Sequence, residues 1–596
     1  MKRLLAILLF ILSTLSISAQ RDVLYTKLVN ALMCVDPQTI EESQRVESYI
    51  ERQFKLGNYA EVLRYSKAHL QGRMSMIDQM YFAMSEQERA DVSILIEGNL
   101  IFHYILSSAV HTNNDDIMGD VYDYLLFIKQ LQLRTSRQIS DAIKRSGNDK
   151  LLYVYETYHG LQQQLAQSNP PAALNRAGIQ ELLNRSGRVL AQQSIHFFKK
   201  DEASWRNVQN WLAPSEVAIE FVRFNLFKGE IITSPRMYAA VVVTSTSNTP
   251  KLILMNSEKN LTYWQTDNPG DLYMVNKYGA ALCQLVWLDI LMYLNPEVKN
   301  IFFSPFGILN NMAIEALPFD KEKRMNNRYN LVRLSSTREV LAQHNIYPKK
   351  TAALYGNLSY RLANEPNQQA STTRCAVFPL PWTKQEIDSI SGILSNQKYT
   401  IKTFSQKQGT EASFKSLDGK SPSILHIATH GFVNRNGQND VMQRSGLIMA
   451  YGARTWEGKP IEPGTEDGIL TAAEIAALDL SGTDIVVLSA CNSALGEITS
   501  EGVWGLQRAF KQAGVQKIVM SLWQVDDEAT AIFMQYLYEE LMKHRQAMAA
   551  ATNLDESIAQ NVSNYTQILL AKAQNRMQQH PKYSSPYYWA AFIAID

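Results

Sequence analysis

The sequence is poor in cysteine. Its 596 residues contain only four cysteines, Cys34, Cys283, Cys375 and Cys491. They are widely scattered and none belongs to a CxxC pair, which argues against a disulfide framework and against a zinc site. We therefore expect no metal and no cofactor, and a chemical role for one of these cysteines remains open.

An excess of charge of either sign is also missing. The chain has 58 Lys and Arg against 57 Asp and Glu, a net charge of +1. Nothing in this balance favours nucleic acid or an anionic membrane surface as a partner. The chain also has neither a GxGxxG motif after a strand nor a GxxxxGK[ST] loop, so a nucleotide-binding module is weakly supported.

Long apolar runs are absent except for a short one at the start. Lys2 and Arg3 precede the unbroken apolar run Leu4 to Leu12, and small residues follow up to Ala19. This pattern is typical of a cleaved signal peptide over residues 1–19, because the run is short for a membrane anchor. We predict an exported protein, periplasmic or extracellular, as in a bacterial envelope, with no membrane span in the mature chain.

Residues 20–205 have apolar residues at helical spacing and few prolines or glycines. The stretch Phe54 to Leu63 resembles the turn and second helix of a tetratricopeptide repeat (TPR), although no clean second copy follows at a period of about 34 residues. We predict an all-α region with degenerate, TPR-like hairpins. Two interpretations remain open, a helical spacer and a platform that binds a regulatory protein.

The remaining chain changes to strands and helices. Residues 206–348 contain four strand-like runs with helical material between them, and no His/Cys pair. From 349 to 596 strands alternate with helices, which is typical of βαβ units and a mostly parallel sheet flanked by helices. Capping boxes at Thr383 to Glu386 and Thr471 to Glu474 predict the starts of two of these helices.

Two predicted strands end in reactive side chains. Ile424 to Gly431 carries His430, and Asp484 to Asn492 carries Cys491. Sites in open α/β sheets lie beyond the carboxyl ends of parallel strands, where a thiol and an imidazole can form a nucleophile–base pair. We expect the N–H groups of Gly431 and Cys491 to stabilise an oxyanion. Taken singly, either side chain could also be an ordinary core residue.

Several motifs, in a fixed order, connect the chain to a known family. They are His426 to Gly431, Asp467 to Ile475, Ser489 to Ser493, Gly502 to Leu506, Ser521 to Asp527 and Pro586 to Phe592. With them the chain resembles, over roughly residues 215–596, the CHAT family of caspase-like cysteine peptidases, relatives of separase and more distantly of gingipains and caspases. The resemblance implies that His430 and Cys491 are the peptidase dyad. It also implies a catalytic caspase-like subdomain at 349–596, preceded by an inactive α/β subdomain at 206–348.

The stretch Leu522 to Asp527 bears on specificity. In separase the similar stretch lines the pocket for the residue before the scissile bond, where an acidic group receives arginine. The resemblance therefore implies a substrate pocket with Trp523, Asp526 and Asp527, and Asp527 matches the acidic position best by its distance from Trp523. The alternative is that one aspartate caps the helix that follows.

Two functions remain as expectations. The first is a secreted cysteine endopeptidase that cleaves protein or peptide substrates through an acyl-enzyme, after a basic residue. The second is a catalytically silent caspase-like scaffold that binds peptides or partner proteins. Intact His430 and Cys491 favour the enzyme. The polar stretches Val433 to Arg444 and Gly452 to Asp467 are predicted either as lids that hold the free protein inactive until a trigger acts, or as plain surface loops.

Overall fold

A computed structural model describes residues 37–97, 99–171, 173, 175–197, 203–264, 266–321, 323–342, 349–361, 377–434, 441–490, 496–499, 502–551 and 566–596. The predicted signal peptide lies outside these residues, as do Cys34, Cys375 and Cys491. The predicted class is confirmed: a helical N-terminal region precedes two α/β parts, each with its own sheet. No helix of the described ranges has the length and apolar character that crossing a membrane requires.

The N-terminal region is made of helices, as its apolar spacing predicts. They are Pro37–Lys55 (α1), Tyr59–Ala83 (α2), Glu86–Glu97 (α3), Leu100–Thr112 (α4), Met118–Ile128 (α5), Leu131–Ser146 (α6), Asp149–Ala166 (α7), Arg176–Ser194 (α8) and Trp205–Trp211 (α9). α1 and α2 form a packed hairpin at the predicted TPR-like turn, where Gly57 has a φ of +76°. Glycine adopts this left-handed conformation without steric cost.

The first sheet has five strands, and three helices lie in its connections. The strands are Glu216–Lys228 (β1), Ile231–Thr244 (β2), Lys251–Ser257 (β3), Asn300–Ser304 (β4) and Asn330–Arg333 (β5), and the helices are Glu258–Leu261 (α10), Gly279–Tyr293 (α11) and Met325–Arg328 (α12). The strand order is β3-β2-β1-β4-β5, with β1, β4 and β5 parallel. α11 covers one face of this sheet and α4 and α5 cover the other, so β1 is buried on both sides.

The C-terminal part alternates strands and helices. Its strands are Thr351–Leu358 (β6), Thr400–Gln406 (β7), Ile424–Ala428 (β8), His430–Val433 (β9), Ser445–Ile448 (β10), Ile469–Thr471 (β11), Ile485–Ser489 (β12), Glu497–Thr499 (β13), Gly502–Trp504 (β14), Lys517–Ser521 (β15) and Phe592–Ile595 (β16). Its helices are Trp382–Ser395 (α13), Glu411–Lys415 (α14), Val441–Arg444 (α15), Ala453–Trp456 (α16), Ala472–Ala476 (α17), Leu506–Gln512 (α18), Asp527–Ala551 (α19) and Thr566–Gln578 (α20).

Six of these strands form the second sheet, in the order β7-β6-β8-β12-β15-β16. The first five are parallel and β16 is antiparallel. β7 and β8 lie on opposite sides of β6, so the chain reverses the direction in which it adds strands at β6. Ligands bind at the carboxyl ends of strands beside such a switch point. β8 and β12 are buried along their whole length, as parallel strands between two helical layers are.

A small antiparallel sheet, β11-β10-β9, follows the end of β8. The sequence predicts one strand from Ile424 to Gly431, but the structure divides it at Thr429, whose hydroxyl donates to the carbonyl of Ile448 in β10 at 2.5 Å. The predicted polar stretch Val433 to Arg444 begins in β9 and ends in α15. The residues 435–440 within it lie outside the described ranges.

One of the two predicted capping boxes is present. Thr471 accepts the N–H of Glu474 at 3.2 Å, and Glu474 accepts the N–H of Thr471 at 2.8 Å. The prediction at Thr383 is wrong, because α13 begins at Trp382, so Thr383 is already its second residue, and the Thr383 hydroxyl donates to the carbonyl of Leu380 at 2.6 Å. Glu386, the expected second half of that box, is buried in the core.

Candidate active site

His430 lies just beyond the carboxyl end of β8, at the first position of β9, and is partly exposed. Its Nε2 is 2.7 Å from the carbonyl oxygen of Phe378, and the ring of Tyr360 packs against it with the centroids 5.1 Å apart. Because a carbonyl can only accept, Nε2 carries the hydrogen and Nδ1 is the basic nitrogen of the neutral ring.

Burial lowers the pKa of His430 below its ordinary 6.5, and the hydrogen bond to Phe378 opposes that shift. The imidazole is therefore neutral at neutral pH, with Nδ1 available to take a proton. These are the requirements for a general base.

The register of β8 and β12 relates the two predicted catalytic residues. Ala428 pairs with Ser489, the last residue of β12. His430 follows Ala428 by two residues, and Cys491 follows Ser489 by two. Cys491 itself lies outside the described residues, so its role stays a prediction. Ala490, directly before it, is buried, and its carbonyl accepts a hydrogen bond from the Ser521 hydroxyl at 2.8 Å.

The predicted oxyanion donor Gly431 lies on β9, an edge strand among the described strands. Asn434 donates its N–H to the carbonyl of Arg444 at 2.8 Å, so this pair of the β9–β10 ladder is hydrogen-bonded. Hydrogen-bonded and non-hydrogen-bonded pairs alternate, which makes Gly431 and Leu447 a non-hydrogen-bonded pair. The N–H of Gly431 therefore points away from β10, toward the open edge.

The two predicted pocket aspartates have different contacts. Asp526 is the N-cap of α19, because its Oδ1 accepts the N–H of Ala529 at 3.0 Å. Asp527 instead contacts another helix, and its Oδ2 accepts the N–H of Trp382, the first residue of α13, at 3.0 Å. Asp526 therefore fills the predicted role of helix cap, and Asp527 is not needed for that cap.

The pKa of the Asp527 carboxyl group lies above its ordinary value of 3.8. Burial raises its pKa to about 6, against the lowering effect of the Trp382 N–H, while the charges of Glu386 and Asp526 raise it further. The group is therefore mainly ionised above pH 6 and mainly neutral below it.

One short segment, Phe378 to Trp382, contacts both His430 and Asp527. Its first residue holds the imidazole through a carbonyl and its last holds the carboxylate through an N–H. Because these two residues are four positions apart, the two backbone groups are at most about 14 Å from each other. The predicted base and the predicted acidic group therefore lie at the same end of the second sheet.

Trp523 has a clear structural contact. Its side chain is 9% exposed, its indole N–H donates to the carbonyl of Tyr587 at 3.0 Å, and its ring stacks on Tyr273 at 5.6 Å. Tyr273 precedes α11 of the first sheet, so Trp523 packs between the two α/β parts. Its assignment to the substrate pocket stays a prediction.

The sequence does not reveal the groups that hold the site in place. Phe378 and Trp382 act through backbone atoms, which no residue type encodes. Below the site, His426 is fully buried, with Nε2 2.9 Å from Glu386 and Nδ1 3.2 Å from the Tyr538 hydroxyl. The alternation of β8 places His426 on the face of the sheet that α13 and α19 cover.

A family model described as the CHAT domain matches residues 276–596. The chain belongs to the CHAT-domain family. The predicted assignment to the CHAT family is thereby confirmed, and the match covers the whole second sheet and the candidate site. It begins within the first α/β part, just before α11.

Two curated relatives are similar to part of the chain. "Tetratricopeptide repeat protein 28" of Mus musculus is 23% identical over 318 residues, which are 50% of this chain and 12% of that protein. The Homo sapiens protein of the same name is 22% identical over 317 residues, which are 50% of this chain and 11% of that protein. The chain thus spans a small part of the length of these relatives.

Two solved structures are also similar. The Arg-specific cysteine proteinase gingipain R superposes with a TM-score of 0.32 at 9% identity, over 53% of this chain and 67% of that one. The Saccharomyces cerevisiae separase–securin complex superposes with a TM-score of 0.38 at 10% identity, over 97% of this chain and 49% of that one.

Proposed function

We propose that the CHAT domain is a cysteine endopeptidase that uses His430 and Cys491. The observation that carries this proposal is the state of His430 at the carboxyl end of β8. The carbonyl of Phe378 fixes its tautomer, burial keeps it neutral, and the neighbouring strand β12 leads directly to Cys491. A neutral imidazole next to a thiol is the arrangement that activates a cysteine nucleophile.

The reaction then proceeds in two steps. Nδ1 of His430 takes the thiol proton, and the thiolate of Cys491 attacks the peptide carbonyl carbon. The N–H groups of Gly431 and Cys491 stabilise the oxyanion. The C–N bond breaks as the imidazolium gives its proton to the leaving amine, and water then hydrolyses the thioester to release the acid and restore the thiol.

We further propose that Asp527 selects a basic residue before the scissile bond. A partly desolvated carboxylate favours a cation, because an unpaired charge there is costly. Within the described residues Oδ1 of Asp527 accepts no hydrogen bond, whereas Oδ2 is used by the Trp382 N–H. A single available oxygen gives less discrimination of arginine from lysine than a bidentate pair would.

The helical region is proposed to bind a regulatory protein, and its contact with the predicted lid supports this. The side-chain amide of Asn169 donates to the carbonyls of Glu462 and Thr465, at 2.7 and 3.0 Å. Both carbonyls belong to the stretch Gly452 to Asp467 between the catalytic strands. A partner that moves the segment around Asn169 would therefore move this stretch. The pattern of residues 1–19 supports export of the chain.

The test is an assay with matched peptides that differ only in the residue before the scissile bond. Cys491→Ala and His430→Ala should each reduce kcat/KM by about a thousandfold or more, and the double variant should be hardly worse than either, because the pair acts as a unit. Cys283→Ala is the matched control. That thiol is buried in α11, and burial raises its pKa to about 12, so it is unreactive.

The alternative is a silent caspase-like scaffold, which the TPR proteins among the relatives favour. A peptide acyloxymethyl ketone, which alkylates catalytic thiols, separates the two functions. Labelling of the wild type and of Cys283→Ala, but not of Cys491→Ala, supports the enzyme. A Cys491→Ala variant with full activity, or a folded wild type that is neither active nor labelled at Cys491, would overturn the proposal and leave the scaffold.

A further inference from the structure

The first sheet has a cavity of its own at the carboxyl end of β4. Glu220 of β1 pairs with Ser304, the last residue of β4, so the later residues of β1 extend beyond its neighbour. A cavity of about 190 Å³ lies against this extension, between β1 and the helices α4 and α5. Ligand sites favour both domain interfaces and the carboxyl ends of parallel strands.

The charged side chains that line this cavity are all cationic, and Asn99, Asn225 and Tyr124 complete its polar lining. Two arginines, Arg223 and Arg236, line it together with His103, and no Asp or Glu is among the described residues that do so. Nδ1 of His103 accepts the N–H of Asn225 at 3.3 Å, which leaves the hydrogen on Nε2. Burial lowers the pKa of His103 to about 4, so the ring is a neutral donor at physiological pH.

The lining carries a net positive charge. Glu258, behind the cavity, accepts hydrogen bonds from Arg223 at 2.9 Å and from Arg236 at 2.8 Å. Two guanidinium groups therefore share a single carboxylate, and one positive charge remains uncompensated within this cluster. Each guanidinium also has further N–H donors in its planar fork, the geometry that suits carboxylate and phosphate oxygens.

The backbone holds these donors in place. Arg236 has a φ of +52°, a left-handed conformation that a residue with a side chain rarely adopts. Its N–H donates to Oδ1 of Asn225 at 2.9 Å, and the N–H of that same asparagine holds the ring of His103. Asn225 thus fixes the His103 ring and the backbone from which the Arg236 side chain extends before any ligand arrives, which lowers the entropic cost of binding.

The remaining lining is mostly apolar, with the aliphatic side chains of Leu125, Ile128 and Val222 beside aromatic rings. The rings of Phe102 and Tyr124 contact each other with their centroids 5.2 Å apart, and the Arg223 guanidinium lies 5.8 Å from the centroid of Phe306. Flat apolar walls beside a positive donor set match a ligand that has a planar body and an anionic end.

We propose that this cavity binds a small organic anion, a carboxylate or a phosphate monoester with an aromatic body. The anionic end would bind Arg223, Arg236 and the Nε2–H of His103, while the ring would lie against Phe102, Tyr124 and Phe306. This site belongs to the first sheet, involves neither His430 nor the residues that position it, and does not depend on peptidase activity.

Isothermal titration calorimetry on the full chain tests the proposal, with phenyl phosphate, benzoate and inorganic phosphate as probes and neutral benzyl alcohol as the control ligand. We expect one aromatic anion to bind at one site per chain, with a Kd of about 1 mM or tighter. Tighter binding of phenyl phosphate indicates a phosphate ligand, and tighter binding of benzoate a carboxylate. Benzyl alcohol should show no heat above dilution.

Arg223→Gln should weaken the anion about tenfold or more, since it removes a charge and half of the arginine pair. Arg236→Gln is the second variant, because its side chain is 66% exposed and the change does not threaten folding. Arg64→Gln, on a side chain that is 71% exposed in α2, is the matched control, and His430→Ala should bind as the wild type does. Absence of binding for all three anions, or binding that neither Arg223→Gln nor Arg236→Gln weakens, would overturn the proposal.

Discussion

The carboxyl ends of the parallel strands differ in chemistry between the two sheets. In the first sheet, Lys129 from the junction of α5 and α6 reaches the end of β4, 2.5 Å from Glu220 and 2.8 Å from the Ser304 hydroxyl. In the second sheet, His430 lies just beyond the end of β8, half-exposed, with the Phe378 carbonyl at its Nε2 and the Tyr360 ring against it. In the first sheet the end of β4 is closed by a buried ion pair between Lys129 of the helical region and Glu220 of β1, and the cavity lies beyond this pair along β1. In the second sheet a basic nitrogen remains available.

The buried pair joins the helical region to the first sheet. Lys129 and Glu220 are 2% and 0% exposed, and Oε1 of Glu220 accepts the N–H of Thr337 at 2.7 Å. Burial lowers the pKa of Lys129, while the charge of Glu220 opposes the shift. Such a pair contributes little net stability by itself, but removing one partner leaves a buried charge uncompensated. Lys129 therefore makes the first sheet dependent on the helical region.

The largest expected effect comes from breaking this closure. Lys129→Met should lower the free energy of unfolding by about 3–5 kcal/mol, because the Glu220 carboxylate remains buried without its cation. The double variant Lys129→Met with Glu220→Gln should recover most of the loss, since the amide stays neutral and still accepts from Thr337. Urea unfolding of the three proteins measures the effect. Equal stability of wild type and Lys129→Met would show that the edge is not closed by this pair.

The second prediction concerns the open edge and its charge. Asp527→Asn should reduce the preference for arginine over leucine before the scissile bond about tenfold, a change of about 1.4 kcal/mol. In the wild type the preference should decline as pH falls through about 6, the pKa of Asp527, and in the variant it should not change there. The measurement is kcat/KM for paired peptides between pH 5 and about pH 8.

A rise in pH that ionises Asp527 should strengthen the preference for arginine but lower the stability of the folded protein. The folded carboxyl has a pKa of about 6 against an ordinary value of 3.8, so between these values the native state binds more protons than the unfolded state. Stability conferred by this group therefore falls as pH rises from about 4 to about 6. Asp527→Asn should remove that slope. An Asp527→Asn variant that keeps both the arginine preference and the slope would contradict the acidic pocket.

Sequence patterns predicted the elements that depend on long apolar runs. Four strand-like runs were predicted in residues 206–348, where the structure has the five strands β1 to β5, and His430 lies just beyond the end of β8 as expected. The sequence patterns did not reveal contacts between distant segments. Thr383 and Glu386 match a capping box, but Glu386 pairs with His426 in the core, 40 positions away, and this tertiary contact prevails over the local one. Lys129 and Phe378 gave no local pattern at all.

The smallest predicted effect separates the two aspartates of the open edge. Asp526→Ala should destabilise the protein by about 1 kcal/mol, because the first turn of α19 loses the side chain that accepts the Ala529 N–H. Asp526→Asn should cost almost nothing, since asparagine caps a helix as well as aspartate does.

Neither change at Asp526 should alter the preference for arginine, because we propose that Asp527 carries the charge that selects the substrate. The pair Asp526→Asn and Asp527→Asn removes one carboxylate each at adjacent positions, so any effect of net charge alone would appear equally in both. Urea unfolding measures the stability of each variant, and kcat/KM for the paired peptides measures its preference for arginine, both on the same preparations. If Asp526→Asn loses the arginine preference while Asp527→Asn keeps it, the two roles are reversed, and the carboxylate that caps α19 is also the one that receives the substrate.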